Sequence, residues 1–94
     1  SALYNYSKIG KGVLINSFAS VHHDCEVGDF TELSPGSRIL GRSKVGAFCS
    51  IGANSVVLPD LEICDNVIIG AGAVVTKSIF EPGTYLGIPA KKIE

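Results

Sequence analysis

The sequence predicts a solenoid of short flat segments, and three observations predict it. An aliphatic residue recurs at every sixth position without a break: Leu3, Ile9, Ile15, Val21, Val27, Leu33, Ile39, Val45, Ile51, Val57, Ile63, Ile69 and Val75. Four residues after each of these lies a second column, from Ser7, Val13, Ala19 and Cys25 through Thr31, Ser37, Ser43, Cys49 and Ser55 to Leu61, Val67, Ala73 and Ile79. It contains no charge, amide or aromatic ring. The chain is 46% hydrophobic yet only 7% aromatic, without Trp or Met, which suits a narrow interior filled by small and branched side chains. A helix repeats near 3.6 residues and a strand near 2. A strict six fits neither and implies straight segments joined by corners, with each coil buried against the next.

At 94 residues the chain is one domain at most. A net charge of −1 offers no electrostatic attraction to nucleic acid or an anionic membrane. No apolar run is long enough to span a bilayer, and no signal-peptide pattern opens the chain. The first residue is Ser1 rather than Met, which suits a trimmed chain or a fragment. Cys25 and Cys49 occupy the small inward column, and Cys64 follows Ile63. They read as free thiols in a reducing compartment, hence a cytoplasmic protein.

The hexad, aliphatic-x-x-x-small-x, resembles the hexapeptide repeat of the left-handed parallel β-helix. That resemblance implies an all-β fold in which three hexads make a triangular coil of eighteen residues. Residues 3–74 then form about four coils, and residues 75–80 begin a fifth. Stacked residues lie about 4.8 Å apart. Gly10, Gly28, Gly46, Gly52 and Gly70 each follow the aliphatic residue, where a tight corner favours the lack of a Cβ. The repeat occupies residues 1–80. Glu81-Pro82-Gly83 is a turn signal, and residues 81–94 form a short C-terminal turn and tail with too much Pro and Gly for a helix. No two cysteines are separated by a multiple of eighteen, so none stack.

Three places carry chemistry. The first is Val21-His22-His23-Asp24-Cys25, where both histidines fall outside the inward columns and Asp24 stands close enough to orient an imidazole. Stacking sets Gly41 beside His23 and Arg42 beside Asp24, and the Gly41 backbone N–H suits an oxyanion contact. The Arg42–Asp24 neighbours also read as an ordinary surface pair. The second is a smooth strip in three successive coils: Ser34-Pro35-Gly36, Gly52-Ala53-Asn54 and Gly70-Ala71-Gly72. It can accept a long thin ligand such as a pantetheine arm, or simply serve tight turns. The third is the tail, Gly87-Ile88-Pro89-Ala90-Lys91-Lys92, whose lysines can meet phosphates or remain solvated.

The stretches Val21–Phe30, Leu33–Gly36, Ile69–Val75 and Gly87–Lys91 resemble the bacterial sugar O- and N-acyltransferases of the sialic acid O-acetyltransferase and UDP-4-amino-sugar N-acetyltransferase type. The similarity covers nearly the whole chain. It implies an acetyltransferase using acetyl-CoA as donor and no metal, acting on an amino or hydroxyl group of a sugar or sugar nucleotide. His23 carries over as general base, Asp24 as its acidic neighbour and Gly41 as the oxyanion donor. Gly52, Ala53, Gly70, Ala71, Pro89, Ala90 and Lys91 carry over as the coenzyme A surface. The family is a homotrimer whose active sites lie between subunits. The pattern departs at Glu32, where relatives often have histidine. It also departs in lacking a Rossmann-like half before Leu3, which implies either an excised C-terminal domain or a short relative with another acceptor.

Two other readings stand beside this one. A metal-dependent carbonic anhydrase on the same repeat needs three histidine ligands, and the chain has only His22 and His23. A non-catalytic β-helix, structural or assembly module, is compatible with the unbroken repeat but leaves the His-Asp pair beside Gly41 without a role.

Overall fold

A computed structural model describes residues 2–3 and 6–94, with side chains from Tyr6 onward. The inward placement of Leu3, and anything resting on Ser1, lies outside that description.

Each hexad forms a two-residue strand followed by a corner. The first coil carries β1 (Ala2–Leu3), β2 (Lys8–Ile9) and β3 (Leu14–Ile15). The second carries β4 (Ser20–Val21), β5 (Glu26–Val27) and β6 (Glu32–Leu33). The third carries β7 (Arg38–Ile39), β8 (Lys44–Val45) and β9 (Ser50–Ile51). The fourth carries β10 (Val56–Val57), β11 (Glu62–Ile63) and β12 (Val67–Ile69). β13 (Val74–Val75), β14 (Gly83–Leu86) and β15 (Lys91–Lys92) complete the chain, and no helix occurs among the described residues.

The strands stack into three parallel faces: β1-β4-β7-β10-β13, β2-β5-β8-β11, and β3-β6-β9-β12-β14. Among the described residues only β15 runs antiparallel, paired to β14 at the end of the third face. Through the first four coils the register is eighteen, as in Val21↔Ile39 and Val27↔Val45. The fold is thus an all-β parallel solenoid of about four coils, as the repeat predicts.

The interior is the two predicted columns. Val21, Leu33, Ile39, Ile51 and Val57 are wholly buried, and Ile69 and Val75 nearly so. The small column contributes buried Ala19, Cys25, Cys49 and Ala73, together with Thr31, Ser37, Ser43 and Ser55. These four hydroxyls are all satisfied, because each donates to a backbone carbonyl: Thr31 to Gly46 (2.7 Å), Ser37 to Ser34 (2.8 Å), Ser43 to Leu58 (2.6 Å) and Ser55 to Gly52 (2.6 Å). Burial therefore costs little, since a buried donor is expensive only when unpaired. All three cysteines are free.

The corners differ from expectation in one respect. The glycines after the aliphatic column do not supply the left-handed residue. That residue comes two positions later, at every sixth place from Tyr6 to Gly72, and it includes Phe18, Phe30 and Phe48 at φ 61°, 58° and 56°. A bulky residue in this region costs on the order of 1 kcal/mol or more, which the surrounding stack must offset. The glycines serve another purpose, which is close approach. A Cβ on Gly28 would lie 2.5 Å from the Ala47 nitrogen, and one on Gly52 would lie 2.6 Å from the Ala71 nitrogen.

The last coil also departs from the repeat. Ile79, expected in the small column, pairs with Ile63, and β14 meets β12 as Val67↔Gly83. The offset there is sixteen (83 − 67), two short of a full coil. The series of left-handed corners ends at Gly72, so no two-residue turn is spent between Val75 and Ile79. Ile79 consequently enters the aliphatic column and is buried. The third face continues past Phe80 through β14, whose Tyr85 packs inward and donates its hydroxyl proton to the Glu81 carbonyl at 2.7 Å.

Candidate active site

The corner between the first and second faces holds His22-His23-Asp24-Cys25 in one coil, Leu40-Gly41-Arg42-Ser43 in the next and Leu58-Pro59-Asp60-Leu61 above that. Backbone bonds lock these coils together: Arg42 N–H donates to the His23 carbonyl, and Asp60 N–H to the Gly41 carbonyl, both at 3.0 Å.

His23 and Asp24 are exposed at this corner. The His23 Nδ1 lies 3.2 Å from Asp24 Oδ2. The carboxylate assigns the proton to Nδ1 and leaves Nε2 as the basic nitrogen, a tautomer inferred from the contact. Nε2 faces Gly41, as the eighteen-residue register predicts. A Cβ on Gly41 would sit 2.7 Å from Nε2, so only glycine leaves the ring its place.

The Gly41 N–H forms no hydrogen bond with another described residue. Two positions on the corner between the second and third faces are different. Lys11 N–H donates to Asp29 Oδ1 at 3.0 Å, and Ala47 N–H donates to Asp65 Oδ1 at 2.8 Å, each from one coil to the next. A corner N–H of this kind can therefore meet an anionic oxygen. Above Gly41 the corresponding residue is Pro59, which carries no side-chain acceptor. Sequence reasoning missed this vacancy. Its signal was available: Asp29 and Asp65 occupy the same hexad position as Pro59 and cap the coil below, whereas the Pro59 side chain cannot.

Cys25 lies buried beneath the corner, its Sγ donating to the Leu40 carbonyl at 3.0 Å. Burial is the main reason its thiol is pushed up from the ordinary range, so it acts as packing and not as a nucleophile. His22 turns towards the first face, with Nε2 3.2 Å from Ser20 Oγ. Burial first, then His23 and Arg38, holds its pKa below the usual imidazole value. Arg42 does not pair with Asp24. It grips Asp60 in the coil above through Nε (2.6 Å) and a terminal nitrogen (2.9 Å).

The smooth strip lies on the corner between the third and first faces. Asn54 N–H donates to Pro35 O at 3.0 Å and Gly72 N–H to Ala53 O at 2.8 Å, which stacks Gly52-Ala53 beneath Gly70-Ala71. The tail continues this line. Val74 N–H donates to Gly87 O, and Ala90 N–H returns to Val74 O, bringing Pro89 and Ala90 to the end of the strip. Lys92 is tied to Glu81, whereas Lys91 is exposed and has no ion-pair partner among the described residues. Glu32 stands on the third face beside this strip, where Asn16 Nδ2 donates to it at 3.4 Å. The strip and His23 thus flank opposite edges of the first face, and one chain does not bring them together. Among the described residues no group of three or more His, Cys, Asp or Glu side chains gathers as a metal site, and no helix is long and apolar enough to cross a membrane.

Residues 6–41 and 42–77 match the family described as bacterial transferase hexapeptide (six repeats). A UDP-3-O-acylglucosamine N-acyltransferase of Albidiferax ferrireducens is 34% identical over 80 residues, covering 85% of this chain and 24% of the relative. Among solved structures, the acetyltransferase domain of PglB from Neisseria gonorrhoeae superposes with a TM-score of 0.95 at 32% identity, covering 98% of this chain and 45% of that one. PerB from Caulobacter crescentus, solved in complex with CoA and GDP-perosamine, superposes at 0.80 with 27% identity, over all of this chain and 55% of the other. The chain spans about a quarter of the length of the curated relatives it matches.

Proposed function

Because the chain belongs to the bacterial transferase hexapeptide family, we propose that it is the catalytic β-solenoid of an acyl-CoA-dependent acyltransferase, an acetyltransferase whose acceptor is an amino or hydroxyl group of a sugar or sugar nucleotide. The observation that carries this reading is the unpaired Gly41 N–H beside His23 Nε2.

In this mechanism His23 Nε2 removes the proton from the acceptor nitrogen or oxygen as that atom attacks the thioester carbonyl. Asp24 holds Nδ1–H and stabilises the imidazolium that forms. The Gly41 N–H donates to the developing oxyanion. On collapse the C–S bond breaks, and the His23 imidazolium returns its proton to the departing thiolate. The acyl group ends on the acceptor and the free thiol leaves.

The donor lies along the strip, with Gly52, Ala53, Gly70 and Ala71 giving close access to backbone and Pro89, Ala90 and Lys91 meeting its far end. Since His23 and the strip flank opposite edges of one face, His23 works against the strip of a neighbouring copy. A homotrimer with the first faces turned to its axis joins three such pairs at once. Supply of acyl-CoA and three free thiols fit a cytoplasmic protein.

The test is turnover of acetyl-CoA with amino-sugar nucleotides. His23→Ala is expected to lower kcat by about 10²–10⁴-fold with the fold retained. Turnover equal to the unaltered protein, or calorimetry showing no coenzyme A binding, would sink the proposal and leave a scaffold.

A further inference from the structure

Asp24, Arg42 and Asp60 form one vertical column, each in the left-handed conformation at φ 58°, 64° and 64°. The stack puts a carboxylate one coil, about 4.8 Å, on either side of the Arg42 backbone. Arg42 takes the upper one, in a two-pronged contact with Asp60 at 2.6 and 2.9 Å. A forked guanidinium–carboxylate pair is stronger than a single contact, so the fork to Asp60 draws the guanidinium away from Asp24. Asp24, meanwhile, directs Oδ2 at His23 Nδ1.

We propose that Asp60 is a positioning residue: by holding Arg42 it keeps Asp24 free to orient His23. Its catalytic consequence rests on the acyltransferase reading, but the side-chain competition itself does not. Arg42 is close enough for the Asp24 charge to raise its pKa, after the larger effect of Asp60. The charged and titratable groups that face His23 are Asp24 and His22 on its own coil and, above, Asp60, whose carboxyl feels the His23 charge directly, with Arg42 held between. Of these, Arg42 is the cation placed to exchange one carboxylate for the other.

Glycine occupies the equivalent left-handed position at Gly12, Gly36 and Gly72, so Asp60→Gly introduces no backbone strain. The experiment reads the His23 ring tautomer from its nitrogen chemical shifts by NMR at alkaline pH. In the unaltered protein the Asp24 contact is expected to keep the proton on Nδ1. Asp60→Gly is expected to lower the Nδ1–H share, because the released Arg42 draws Asp24 away. Arg42→Gly combined with Asp60→Gly is expected to restore it. Asp24→Asn alone is expected to lower it, and adding Asp60→Gly to Asp24→Asn to lower it no further. The proposal is overturned if Asp60→Gly keeps the tautomer ratio of the unaltered protein, if the double glycine variant keeps the change, or if Asp60→Gly changes the ratio in the Asp24→Asn background. In turnover, Asp60→Gly is expected to lower kcat about threefold, for a loss of well under 1 kcal/mol, with KM for the donor unchanged. Tautomer ratios behaving as described without any turnover would refute the enzyme reading and leave the positioning role intact.

Discussion

The corner at Gly41 and the corner at Ala47 share one backbone design and serve different ends. Both present an N–H from the second residue after the aliphatic column. At Ala47 the Asp65 carboxylate of the next coil accepts that N–H at 2.8 Å, and at Lys11 Asp29 does the same at 3.0 Å. At Gly41 the next coil supplies Pro59, and the donor stays open beside an imidazole. A solenoid gives every corner the same geometry. At these corners one side chain in the neighbouring coil decides whether the N–H is capped or left open, and at Gly41 the open donor has an imidazole beside it.

The contrast can be broken most severely at Gly41. Gly41→Ala places a methyl group where His23 Nε2 now lies. Displacing the base is expected to cost about 10³-fold in kcat, read in steady-state turnover, while circular dichroism stays unchanged. Pro59→Asp imitates Asp65 and caps the open N–H. It is expected to lower kcat about 10²-fold without loss of thermal stability, whereas Pro59→Ala stays near the starting rate. Equal rates for the two Pro59 variants would show that the Gly41 donor is idle.

The structural corner sharpens the comparison from the other side. Asp65→Ala removes the acceptor of the Ala47 N–H. The expected loss is about 1 kcal/mol, a fall in Tm of about 4–8 °C, with kcat unaffected. The smallest effect belongs to His22. Its folded-state pKa lies below 6.5, chiefly through burial, so near and below that pH the unfolded chain binds more protons. Stability then falls as pH drops through about 6.5. Thermal melts at pH 8 and pH 5 are expected to show a smaller loss for His22→Gln than for the unaltered chain.

Much of the candidate site was legible because an unbroken period acts as a ruler. It set Gly41 against His23, kept the cysteines apart and aligned Gly52-Ala53 under Gly70-Ala71, and each placement is found in the structure. The left-handed corners were not legible. Phe18, Phe30 and Phe48 have no intrinsic preference for positive φ, and the stack imposes it on them. Nor was the two-residue shortening after Val75 visible, because Ile79 suits either inward column and only its pairing with Ile63 distinguishes them.

Sequence alone determined which residues face inward, since side-chain direction follows hexad position, and which residues are neighbours one coil away. Tertiary structure decided every choice between equivalent neighbours. Arg42 has a carboxylate eighteen residues before it and another eighteen after it, and only the folded geometry gives it to Asp60. The open donor at Gly41, and the separation of His23 from the strip by a whole face, belong to the same class. Such features depend on side-chain conformation and on closure of the triangular coil, and a one-dimensional period carries neither.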